Sequence, residues 1–115
     1  MRRNAAVLIA DALEAADSVA MIIAGVSLDD YRASRMHRAA VERELMIIGE
    51  AIGALRALDP SLAEHIPDAS RVIGLRNRLA HAYDMIDDAI IHGVAMRDLP
   101  RLRDALAVLL GEFPG

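Results

Sequence analysis

Residues 41–58 commit this chain to a helical fold. Val41, Leu45, Ile48, Ile52 and Leu55 recur at alternating steps of four and three. That spacing gathers side chains on one face of a 3.6-residue helix. Ile47, Ala51, Ala54 and Leu58 form a second apolar stripe beside the first. Two stripes make a face wider than one small neighbour can cover, so a bundle core together with a dimer contact is expected to use it. The stripes span too few heptads for an isolated coiled coil.

The same periodicity extends along the chain. Ile9, Leu13, Ala16, Ala20 and Ile23 give a core-facing seam to a helix over about residues 5 to 24, with Gly25 as its stop. Ser27 reads as the cap of a second helix running to about Leu58, with Asp29 and Asp30 at the positive end of its dipole. Asp59-Pro60 and Ile66-Pro67 bracket a connector with one helical turn at Ser61 to Glu64. Asp68 or Ser70 then caps a third long helix through about Ala82. Asp84 to Asp87 form a turn, and Asp87 caps a fourth helix from Asp88. Pro100 predicts a kink or a fresh helix start near Asp98. Leu102, Leu106, Leu109 and Leu110 supply the last buried face. The sum is an all-α bundle of four to five helices.

Composition supports this and narrows the chemistry. With 115 residues the chain is read as a single domain, 1–115. Its residues are 55% hydrophobic but only 3% aromatic, so the core must be aliphatic and lined with alanine, the best helix former. The absence of cysteine excludes disulfides, zinc thiolates and a cysteine nucleophile, and fits a reducing compartment. A net charge of −4 argues against coating nucleic acid by charge alone. Every basic side chain besides histidine is arginine, whose planar fork still permits local phosphate recognition. Charges interrupt every apolar run before the ~18 residues of a membrane span. Asp11, Glu14 and Asp17 spoil the basic start as a signal peptide. A cytoplasmic protein without membrane contact is expected.

One stretch departs from this aliphatic background: Arg76-Asn77-Arg78-Leu79-Ala80-His81-Ala82-Tyr83. On a helix Asn77 and His81 share a face, roughly opposite the buried Val72, Leu75 and Leu79. Arg76 and His81 stand about 140° apart around the axis and about 7.5 Å along it. One rigid helix does not aim both at one atom. The arginine could bend round, the helix could end before His81, or a second copy could supply the missing half. The alternative is a capped helix end, with His81 near the negative end of the dipole and Tyr83 packing its ring. His37, His65 and His92 have no evident partners. No glutamate has a histidine three residues on, and neither a His-Glu-x-x-His set nor a phosphate loop is present, so no metal site or cofactor is expected.

The pattern Arg76-Asn77-x-x-x-His81-x-Tyr83 resembles the signature of the HEPN superfamily, in particular its HepT-like toxin branch. Glu44-Leu45-Met46-Ile47-Ile48-Gly49-Glu50-Ala51, Ile66-Pro67, Tyr83-Asp84-x-Ile86-Asp87 and Leu99-Pro100-x-Leu102 also resemble that branch. The likeness covers roughly residues 41–110. It implies a homodimeric helical bundle in which two motif helices form a composite site. It further implies a metal-independent endoribonuclease, the toxin of a two-gene module. Its partner would be a nucleotidyltransferase antitoxin that silences it by transferring AMP to Tyr83. The resemblance also admits a non-catalytic module that binds a nucleotidyltransferase or a nucleotide.

The chemistry suits these residues. RNA carries its own nucleophile, the 2′-hydroxyl. His81 can take that proton or return one to the leaving 5′-oxygen. Arg76 can brace the phosphate as charge builds. Asn77 can orient His81 or donate to a phosphate oxygen. The expected products are a 2′,3′-cyclic phosphate and a 5′-hydroxyl, and single-stranded or loop RNA is the expected substrate.

Overall fold

A computed structural model describes residues 2–81 and 85–113. Among the described residues every regular element is helical: α1 (Arg2–Ile23), α2 (Leu28–Ala33), α3 (Arg35–Leu58), α4 (Pro60–Ala63), α5 (Ala69–Ala80), α6 (Asp88–Gly93), a π-helical stretch (Val94–Asp98) and α7 (Leu99–Gly111). The expected all-α bundle is what the chain forms. Among the described residues no helix is long and apolar enough to cross a membrane.

Helix α3 is the spine. It packs along α1 on one side and α5 on the other, while α1 also lies against α7. Val41, Leu45, Ile48, Ile52 and Leu55 are essentially sealed from solvent, each worth roughly 1.5–3 kcal/mol of burial. In the second stripe Ala51 is buried and Ile47 and Leu58 pack against the core, whereas Ala54 is exposed. The wide face of α3 is thus largely covered within one chain, because α1 and α5 take it from two sides. The seam of α1 is rotated from the expected one. Ala12 and Val19 are buried, while Leu13 and Ala20 are only half-buried, because α1 must serve both α3 and α7.

Gly25 ends α1 with φ +72°, a conformation L side chains rarely adopt. Ser27 caps α2 as expected, its hydroxyl accepting from the Asp30 N–H at 3.1 Å. The helix expected over 28–58 is broken at Ser34. There the hydroxyl accepts from the His37 N–H at 3.1 Å and pairs with His37 Nδ1 at 2.6 Å, opening a new helix. The break lets Tyr31 turn fully into the core.

Asp68 precedes α5 with φ +59° but makes no side-chain cap. Its carboxylate accepts instead from Arg101 at 2.7 Å. Buried Asp98 lies 3.2 Å from Arg71 and 3.8 Å from Arg101, tying the start of α5 to the last helix. Asp87 caps α6 as expected, accepting from the Ala89 N–H at 2.8 Å. Pro100 does not stop the helix. It sits in the first turn of α7, where no N–H is required, and the π-helical stretch before it absorbs the irregularity.

Candidate active site

Helix α5 runs antiparallel to α3. Arg76 abuts Gly49, Ile73 faces Gly53, and Arg56 donates to the Ser70 hydroxyl at 3.2 Å. Val72 and Leu75 are buried and Leu79 packs against the core, the face expected from their spacing. Among the described residues α3 is the one helix α5 packs on extensively. Its other side carries Gly74, Asn77, Arg78 and His81 at steps of three and four. Asn77, Arg78 and His81 are exposed there.

Helix α5 ends at Ala80, two residues earlier than the pattern suggests. His81 is its C-terminal cap, with φ −89° and ψ 121° and its N–H bonded to the Arg78 carbonyl at 3.1 Å. Of the arrangements open to the sequence, the helix does end before His81. The imidazole therefore leaves the helical lattice at an exposed position. No hydrogen bond joins Arg76 to His81 among the described residues. Tyr83, the expected modification site, lies outside the described residues, as do Ala82 and Asp84.

Arg76 and Asn77 are brought together. Arg76 Nη1 donates to Asn77 Oδ1 at 3.3 Å. Arg76 is half-buried, and its Nε–H is shut from solvent without an acceptor among the described residues. Leaving a buried donor unmet costs about 1–3 kcal/mol. Gly49 has no role in the sequence reading beyond its place in a matching segment. The signal was a glycine inside a strongly helical pattern.

Because α5 is antiparallel to α3, its C-terminal end points toward the N-terminal half of α3. There Glu42 sits about 10 Å along α3 from Gly49. Burial, and then the neighbouring Asp88 carboxylate, push the Glu42 carboxyl up against the counteraction of Arg38. Burial, Glu42 and Asp88 likewise raise the Tyr31 phenol, whose hydroxyl is buried without a partner among the described residues. The Tyr31 ring lies against His92, which donates from Nε2 to the Val26 carbonyl at 2.8 Å. Among the described residues no three histidine or carboxylate groups are placed to hold a metal ion.

A carboxyl whose folded pKa is raised holds its proton more tightly when folded. Its contribution to stability is full below the unfolded pKa and falls as pH rises through the folded one. Glu42→Gln removes that loss. The variant is expected to melt a few degrees above wild type at neutral pH and level with it below pH ~4. Thermal unfolding followed by circular dichroism across pH checks this; equal Tm at neutral pH would refute it.

The family model described as ribonuclease HepT-like matches residues 12–109. A protein of Methanocaldococcus jannaschii described as a candidate RNase is 28% identical over 110 residues, covering 94% of this chain and 98% of that protein. No solved structure matches the chain.

Proposed function

Given that the chain belongs to the HepT-like ribonuclease family, we propose that it is a metal-independent endoribonuclease, the toxin of a toxin–antitoxin pair, with a composite site built by two copies. The observation that carries this reading is the Arg76 side chain. Among the described residues its Nε–H is buried and unmet, its Nη1 is held against Asn77, and His81 is exposed at the end of the same helix. An arginine fork with a donor to spare suits a non-bridging phosphate oxygen.

The 2′-oxygen of RNA attacks the adjacent phosphorus, and the bond from phosphorus to the 5′-oxygen breaks. His81 accepts the 2′-hydroxyl proton, and the leaving 5′-oxygen takes a proton from solvent water. Products are a 2′,3′-cyclic phosphate and a 5′-hydroxyl. Arg76 stabilises the negative charge that accumulates on the phosphate oxygens. The Asn77 carboxamide accepts from Arg76 through its oxygen, which leaves its N–H groups to donate to phosphate.

The open side of α5 favours a second copy there. Gly74 has nothing within 4 Å of where a side chain would begin, so another helix could approach closely. Two-fold pairing would set the His81 of each copy beside the Arg76 of the other, making two equivalent sites. The cognate antitoxin is a nucleotidyltransferase that transfers AMP to Tyr83. The added phosphate and nucleotide bulk, two residues from His81, would repel and block RNA.

Purified protein is expected to cut single-stranded RNA in EDTA and leave cyclic phosphate ends. Treatment with the nucleotidyltransferase and ATP is expected to stop cutting and add one or more nucleotide masses at Tyr83. RNA left intact by the untreated protein, beside an active control nuclease, overturns the ribonuclease reading. Stable binding to the nucleotidyltransferase with no cleavage would mark a non-catalytic binding module instead, an outcome that the net charge of −4 favours.

A further inference from the structure

We propose that Gly49 is a positioning residue for Arg76: the missing side chain lets the arginine stem seat against α3 and fixes where the guanidinium emerges. This rests on the ribonuclease reading of Arg76. Gly49 is buried in the middle of α3, where glycine is a poor helix former, and its backbone is helical rather than left-handed. Conformational freedom therefore does not explain it; space does. A Cβ at position 49 would overlap the Arg76 Cβ outright, and would stand 2.9 Å from Arg76 Cγ and 3.0 Å from the Val72 carbonyl oxygen. The Arg76 Cβ and the Val72 oxygen are fixed to the α5 backbone and cannot swing aside.

The close approach is local to the motif. One turn along α3, a Cβ at Gly53 would meet only Ile73 Cγ1, at an ordinary 3.9 Å. The two helices are thus pressed together at the level of Arg76 and looser at the neighbouring glycine. Pinning the first two carbons of Arg76 removes rotamers that a free arginine would sample. The remaining freedom is further reduced where Nη1 meets Asn77 Oδ1. A methyl group at 49 must push α5 outward or rotate the arginine. A misplacement of ~1 Å at a reacting group costs on the order of 10²-fold in rate.

A double-mutant cycle on the full-length protein, read by single-turnover RNA cleavage, tests this. Gly49→Ala is expected to lower the rate on the order of 10²-fold, while Gly53→Ala stays near wild type. In an Arg76→Gly background, which removes the overlapping carbons, Gly49→Ala should lower the residual rate by less than about threefold, because it acts through Arg76. A Gly49→Ala rate near wild type overturns the proposal. So does an equal loss with and without Arg76, which would mean general distortion of α5.

A second readout does not depend on RNA. The Arg76 Nε–H proton resonance, assigned by its loss in Arg76→Ala, should exchange slowly in wild type and Gly53→Ala and quickly in Gly49→Ala. Unchanged protection overturns the proposal even if wild type cuts nothing, a result that would by itself condemn only the ribonuclease reading. If Gly49→Ala fails to fold, adding Arg76→Gly removes the overlapping carbons and should restore folding. Continued unfolding of that pair would place the fault elsewhere and overturn the assignment.

Discussion

His81→Ala is expected to abolish RNA cleavage in EDTA while leaving the bundle folded. The side chain is exposed, and among the described residues the one hydrogen bond made at this position is from the backbone N–H to the Arg78 carbonyl. Alanine keeps that bond and adopts the same extended backbone. Surface changes of this kind usually shift stability by no more than about 0.5 kcal/mol. A positioned proton-transfer group contributes roughly 10²–10⁴-fold to rate, so the loss should be at least a hundredfold at unchanged Tm. The measurement is single-turnover cleavage beside thermal unfolding and sizing chromatography. A variant that cuts within tenfold of wild type would remove His81 from the chemistry, whatever the family pattern suggests.

Mixing two inactive variants should restore activity if the site is shared between copies. In Arg76→Ala each copy retains His81, and in His81→Ala each copy retains Arg76. A heterodimer then assembles one complete site and one empty one. With random exchange of equal amounts, half the dimers are mixed and each carries one good site of two. Recovery should approach about a quarter of wild-type activity. It should appear only after subunit exchange and should scale with the heterodimer fraction. Complete inactivity in a verified heterodimer would mean that Arg76 and His81 act within one chain, with the arginine reaching round the end of α5. The open face of α5 makes the shared site the stronger expectation.

Much of the fold was legible because helical periodicity is a local property. The stripe Val41, Leu45, Ile48, Ile52 and Leu55 is the core line of α3, and Leu102, Leu106 and Leu109 are that of α7. Ser27 and Asp87 cap the helices they were expected to cap, since a cap requires only a side chain three or fewer residues from its N–H. The break at Ser34 was not legible, because a serine in a helix carries no unique message. The role of Asp68 was misread for a related reason. Its local alternative, capping α5, lost to Arg101, which comes alongside only once α7 is packed.

The candidate site divides the same way. Arg76, Asn77 and His81 stand out as reactive residue types on an aliphatic helix, and their order with the flanking segments carries the family likeness. The sequence could not say that Arg76 would meet Asn77 through Nη1 while keeping a buried Nε–H unmet, nor that the helix would let go at His81. It could not assign Gly49 to Arg76, since nothing local links two residues on different helices.

By itself, then, the sequence determined an all-helical bundle, the buried faces of its longest helices and the position of the reactive octapeptide. Each of these depends on residues within a turn or two of one another. Only the tertiary structure decided that α1 and α5 share the wide face of α3, that α5 keeps an open side, and that the arginine stem is pinned where Gly49 leaves room. Those outcomes depend on distances between helices. Close packing sets such distances atom by atom, between side chains far apart in the chain.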